Sequence, residues 1–225
     1  MREPTPGPDE LDAMFEAVER RIAAPVGWVE GLRQRSTWVR SAALLGVALA
    51  MVALILLGLR RVDLGLHPLP RLLGTIAALA TAVLAAGAVA LRPLHRRPLR
   101  GWLLGLIAGL AVLAPAIVCS LPPAHHDHPA SLIGVDADLV PRAAGCFAFG
   151  MGFVALAVAA AYLLERSALR RRGSAVLALL GAGALANLVL VLHCPIVAPI
   201  HQWAGHATIT LVLLLVAAGA RARGA

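Results

Sequence analysis

Residues 41–59 read SAALLGVALAMVALILLGL, nineteen positions without a charge or a side-chain amide. Crossing the hydrocarbon of a bilayer takes about 20 predominantly apolar residues at about 1.5 Å rise each, so this run predicts a membrane-spanning helix. It is continuous and Leu/Ala-rich, whereas a strand of a membrane barrel alternates with period two. Five further stretches repeat the pattern: Leu72–Leu91, Gly101–Cys119, Ala143–Leu164, Ser174–His193 and Ala204–Ala220, the last being the shortest. Composition agrees, with 225 residues, 60% hydrophobic and 14% charged, and a mean hydropathy of +0.81. A soluble domain of this size needs more polar surface to cover its core. The reading is an all-α integral membrane protein, a six-transmembrane-helix bundle over residues 41–220. An N-terminal arm (1–40) precedes it and a short tail (221–225) follows.

The formal charge of +8 lies beside the spans. Arg33, Arg35 and Arg40 precede the first span, Arg92, Arg96, Arg97 and Arg100 follow the second, and Arg166, Arg170, Arg171 and Arg172 follow the fourth. Arg221 and Arg223 follow the sixth. The intervening loops hold Arg60, Arg61 and Arg71, then Arg142 alone, then none. The positive-inside rule therefore puts both termini in the cytoplasm of a bacterial inner membrane, with the lipid bilayer as a constant partner. A nucleic-acid surface would interleave Arg with aromatic residues on one face, and that pattern is missing, so no direct nucleic-acid partner is expected.

The first 36 residues lack the apolar core and small-residue cleavage site of a signal peptide and read as a soluble arm. Within it Leu11, Met14, Phe15, Val18 and Ile22 recur at i, i+3, i+4, i+7 and i+11, one stripe of a helix. Asp9 is placed to cap that helix, and Pro25 and Gly27 to stop it. Isolated helices of this length are marginal in water, so the stripe wants a partner. Its other face carries Glu10, Asp12, Glu16 and Glu19. Surface-bound membrane helices favour Lys and Arg there, so a groove on a cytoplasmic protein suits it better than lipid.

Inside the bundle, Gly101, Gly105 and Gly109 repeat every four residues, a spacing that predicts close helix packing. Pro115 should kink the third helix, and Asn187 in the fifth should bond to a neighbouring helix. No acidic residue or Arg lies deep within any span, which counts against ion-coupled transport.

The chemistry-bearing side chains are one-sided. With the termini inside, Cys119, Cys146 and Cys194 all fall at outer ends of spans. His67, His125, His126, His128, His193, His201 and His206 fall in or beside the same outer loops. Thiolate and imidazole are ligands for Zn²⁺ and softer metals, so a metal ion at outer-face Cys and His is a candidate cofactor. In an oxidising compartment two such thiols can instead join as a disulfide. His125, His126 and His128 sit in a Pro-rich loop, and His201 and His206 flank Gln202-Trp203. His193-Cys194-Pro195 sets a thiol beside an imidazole at a helix end, and an adjacent imidazolium is a setting for a low-pKa thiol. CxxC, HExxH, GxSxG and P-loop patterns are all missing, and no enzyme is expected.

An N-terminal arm, six spans, a Cys opening the fourth and Leu192-His193-Cys194-Pro195 closing the fifth resemble the NrsF family, including its CarR-like members. These are membrane-embedded anti-sigma factors that restrain extracytoplasmic-function sigma factors. The resemblance implies that Leu11, Met14, Phe15, Val18 and Ile22 bind the sigma factor. It also implies that Cys146 and Cys194, with His193, sense an outer redox, metal or light/singlet-oxygen signal. Ile196 stands where an acidic residue is expected after Cys-Pro. The competing reading is a membrane transporter or metal-handling protein with an outer His/Cys site. A quinone-linked oxidoreductase would need a second Cys pair.

Overall fold

The computed structural model describes residues 7–23, 27–93, 96–97, 99–122, 139–169 and 171–222. The expected architecture is present: every described element is helical, and six helices are long and apolar enough to cross a membrane. In chain order the elements are α1 (Pro8–Ala23), α2 (Trp28–Arg33), α3 (Thr37–Gly58), α4 (Leu69–Ala90), α5 (Gly101–Ser120), α6 (Leu139–Leu169) and α7 (Arg172–His193). The short α8 (Pro199–His201), a π-helical turn at Gln202–Ala207 and α9 (Thr208–Ala222) follow. The sixth span runs continuously through these last three pieces, from Pro199 to Gly219. Six crossings leave the ends of α3 and α9 nearest the termini on one side, here the terminal face; the opposite side is the far face.

The helices form for the reasons read from the sequence, with shifted boundaries. Helix α1 begins at Pro8, so Asp9 lies within its first turn and not ahead of it. Proline needs no N–H partner at that position, and a carboxylate there suits the helix dipole. Met14 and Phe15 are exposed, 58% and 67%, as an unpartnered stripe should be. The chain resumes after Gly27 as α2, which packs on the terminal end of α6.

Helix α7 is the hub. In its apolar window 72% of residues are buried, against 11% for α3. It packs on α3, α4, α5, α6 and α9. Its small residues allow that approach: Gly181 lies against Ala86 of α4, and Gly183 against Leu213 and Thr210 of α9. Asn187 is buried and donates from Nδ2 to the Gly183 carbonyl (2.9 Å) and to Thr210 Oγ1 (3.2 Å), the expected bond between helices. By contrast, Gly101, Gly105 and Gly109 meet nothing: a Cβ there would have no neighbour within 4 Å. The packing face of α5 is built from Ala111, Ala114, Pro115 and Cys119 instead, and the helix runs on through Pro115.

Two ion pairs fasten the ends. On the terminal face α6 is interrupted at Glu165 (φ −132°, ψ 35°). The buried Glu165 carboxylate accepts from Arg40 Nε at 2.6 Å. Arg40 also donates to the carbonyls of Arg33 (2.7 Å) and Arg35 (3.0 Å), while Arg33 Nε donates to the Leu163 carbonyl. One guanidinium thus ties the base of the arm to α6. On the far face Arg61 grips Asp63 with two bonds of 2.6 Å, and its backbone N–H donates to the Leu192 carbonyl at 2.9 Å. Burial alone would raise the Asp63 carboxyl, but the hydrogen bonds and charge of Arg61 bring it below the ordinary carboxylate value. The first far-face loop therefore carries less free positive charge than its three Arg suggest.

Candidate metal centre

Four side chains from three pieces of chain converge at the far face. Cys146 comes from the second turn of α6, Cys194 from the residue after α7, and His201 and His206 from the entry to the sixth span. Their ligand atoms all lie within 4.8 Å of one another. Cys146 Sγ is 3.5 Å from Cys194 Sγ, and Cys194 Sγ is 3.3 Å from His201 Nε2. The rings of His201 and His206 meet edge to face with centroids 5.6 Å apart. Cys194, His201 and His206 are buried, and Cys146 is half-buried.

Local sequence explains the convergence. Pro195 has no N–H to extend α7, so residues 194–198 run without helix until Pro199 opens the next one. In an α-helix, positions five apart point about 140° from each other. A π turn closes i to i+5, so His201 and His206 reach the same side of the sixth span. Gly205 lets this wide turn press on α6: a Cβ there would sit 3.0 Å from the Ala143 carbonyl oxygen and 3.2 Å from Cys146 Cβ. Gln202 Nε2 donates back to the Ile196 carbonyl and closes the loop.

The chemistry fits a metal ion. Zn–S bonds of about 2.3 Å and Zn–N bonds of about 2.05 Å imply tetrahedral edges of about 3.8 Å (S···S) and about 3.6 Å (S···N). The two measured edges are each about 0.3 Å shorter, a small relaxation away. Both ring nitrogens of His206 and Nδ1 of His201 are buried without a hydrogen-bond partner among the described residues. Such orphaned polar atoms are rare and costly, and metal coordination would satisfy one on His206. Two thiolates and a divalent cation also sum to zero charge, which suits an apolar surrounding where free thiolates are penalised. Without a metal, the hydrogen bond to Cys146 and burial push the Cys194 thiol above its ordinary value, while His201 and His206 pull it down. His193, the imidazole next in sequence, is not one of the groups acting on it. The same two sulfurs, both free thiols, are also close enough to join after loss of two protons and two electrons to an oxidant.

Of the residues singled out from sequence, Cys146, Cys194, His201 and His206 are brought together. His193 is not: its ring stacks on Phe149 at 4.6 Å and its Nδ1 lies 2.6 Å from the Leu59 carbonyl oxygen. Cys119 is buried at the far end of α5 and is not one of the four. His125, His126 and His128 lie outside the described residues, as do the side chains of Leu11, Val18 and Ile22. Compared with known proteins, the chain matches no family model, no curated protein and no solved structure.

Proposed function

We propose that this chain is an inner-membrane anti-sigma factor whose N-terminal arm sequesters an extracytoplasmic-function sigma factor and whose far-face Cys/His group receives the releasing signal. The terminal face, with its Arg-rich loops, is then cytoplasmic. The observation that carries the reading is the path of α6. It carries Cys146, one of the four, near its far-face end and Glu165 near its terminal-face end, where Arg40 fixes the root of the arm. The Cys146–Glu165 segment is about 28 Å long, so one helix joins the group on one face to the arm on the other. Zn²⁺ or a comparable thiophilic ion would be held by Cys146, Cys194, His201 and His206, where it would cross-link α6, the end of α7 and the sixth span. Oxidation of the thiol pair would remove two of those ligands. Either change favours one packing of α6 over another, which is what a population switch requires.

The test pairs two measurements on the full-length protein in membranes. A sigma factor encoded beside this gene should co-purify with it, and deletion of residues 1–36 should abolish that binding. Cys146→Ser/Cys194→Ser should keep the binding and lose its release by oxidant or metal. Sigma binding that survives deletion of the arm would overturn the proposal. The same four ligands favour a metal-handling role as the second reading, and that role predicts metal accumulation in vesicles irrespective of the arm.

A further inference from the structure

A second cavity lies away from the Cys/His group, on the terminal half of the bundle. Helix α3 packs on α6 and α7 but not substantially on α4, while α4 packs on α7 and α5. A cleft of about 680 Å³ is left between α3 and α4, floored by α7 and α6. Its walls are apolar, including Leu44, Ala48, Val83, Ala160 and Leu185. Arg92 and Arg96 lie among its lining residues at the terminal end of α4, opposite Thr37, Trp38 and Ser41 at the start of α3.

The cleft is one leaflet long. Its α3 wall runs from Thr37 to Met51, about 21 Å of helix. Half a bilayer with its headgroups measures about 20–22 Å. Met51 at that depth and Ile55 one turn further are buried in the core, so the cleft ends near mid-membrane. A slot of this shape, apolar inside and cationic at its open end, matches an acyl chain with a phosphate at its head. Arg92 and Arg96 make no ion pair among the described residues, and Trp38 is 86% exposed at the same level, where interfacial Trp residues sit. Basic pockets between spans are established binding places for anionic headgroups.

We propose that this cleft is a binding site for one anionic phospholipid of the bilayer, its phosphate on Arg92 and Arg96 and an acyl chain between α3 and α4. The lipid then fills the gap beside α3, the helix that carries Arg40 and the root of the arm.

The experiment uses the full chain in mild detergent, equilibrated with equal amounts of phosphatidylglycerol and phosphatidylcholine. Bound lipid is counted by native mass spectrometry. Each Arg near a membrane surface is worth a factor of about five for anionic lipid, so the pair should give about a 30-fold preference for phosphatidylglycerol. One phosphatidylglycerol per chain is expected. Arg92→Gln/Arg96→Gln should bring the preference close to one. Ala48→Phe/Ala160→Phe, which fills the slot and keeps both Arg, should lose the retained lipid of either kind. Retention of phosphatidylglycerol by the filled variant would show that surface charge alone binds lipid and would overturn the proposal. A lipid-free dimer that the filled variant converts to monomer would overturn it as well, by showing that a second copy occupies the cleft.

Discussion

Substituting Gly205 by alanine tests whether metal binding by the Cys/His group depends on the close approach of the π turn to α6. The added Cβ would lie 3.0 Å from the Ala143 carbonyl oxygen, 3.2 Å from Cys146 Cβ and 3.3 Å from Ala143 Cα. Ordinary contacts of this kind are about 3.5 Å or longer, so the two segments must part by about 0.3–0.5 Å. Two of the three clashing atoms belong to the α6 backbone, which cannot rotate away. Metal-ligand distances tolerate about 0.2 Å, so the separation exceeds what the centre can absorb. Overpacking of this size costs about 1–3 kcal/mol, or about a 5- to 150-fold loss of metal affinity. The assay is Co²⁺ binding to the purified protein, read from thiolate-to-metal absorption, followed by Zn²⁺ competition. Gly145→Ala and Gly152→Ala, where a Cβ meets nothing within 4 Å, are the matched controls and should bind as wild type. Thermal stability is the wrong readout, because Gly→Ala can add about 1 kcal/mol of helix propensity and mask the clash. Unchanged Co²⁺ affinity and spectrum in Gly205→Ala would refute the reasoning.

Three further predictions concern the ends of the bundle and the thiols. Arg40→Gln leaves Glu165 buried without its partner and should cost about 2–3 kcal/mol, given that Arg40 is itself part-exposed. Hydrogen exchange over residues 28–36 should rise with it, and Glu165→Gln added to Arg40→Gln should recover part of the loss; wild-type exchange in Arg40→Gln would count against the clamp. The Asp63 carboxyl is held below its ordinary value, so its contribution to stability is complete above about pH 4 and fades as pH falls through its lowered pKa. Asp63→Asn should therefore flatten the acid limb of the unfolding curve, and an unaltered limb would show that Arg61 contributes nothing there. Because the Cys194 thiol sits above its ordinary value, metal binding must expel its proton. Affinity should climb with pH from 6 to 9, with protons released into weak buffer, and a pH-independent affinity would exclude thiolate ligation.

The membrane architecture was legible because continuous apolar runs leave few alternatives, and five of the six spans start and stop within a few residues of their hydropathy limits. The sixth begins at Pro199 and not at Ala204. The π turn conceals it, since an i, i+5 pair such as His201 and His206 matches no α-helical ligand spacing. That pair, with Gly205 between its members, was the available signal for the Cys/His group. Cys146 and Cys194 could be placed on one face by counting crossings, but their contact depends on where α7 stops. His193 and Cys194 diverge because the first closes a helix against Phe149 and the second opens the segment that follows. The stripe of Gly101, Gly105 and Gly109 misled for a physical reason: small residues permit close approach and do not compel it. The glycines that do pack lie on α6, α7 and the π turn, among them Gly150, Gly181, Gly183 and Gly205.

The central position of α7 bears on how the chain is made. Of the four spans synthesised before it, α4 pairs with α5 and α3 with α6, and the element that joins the two pairs arrives fifth. Until translation passes His193, only the α4–α5 and α3–α6 contacts are available to the first four spans, and Cys194, His201 and His206 have yet to be made. Ribosomes that stall before Arg172 would release a fragment lacking its keystone, the kind of orphan that membrane quality-control proteases remove.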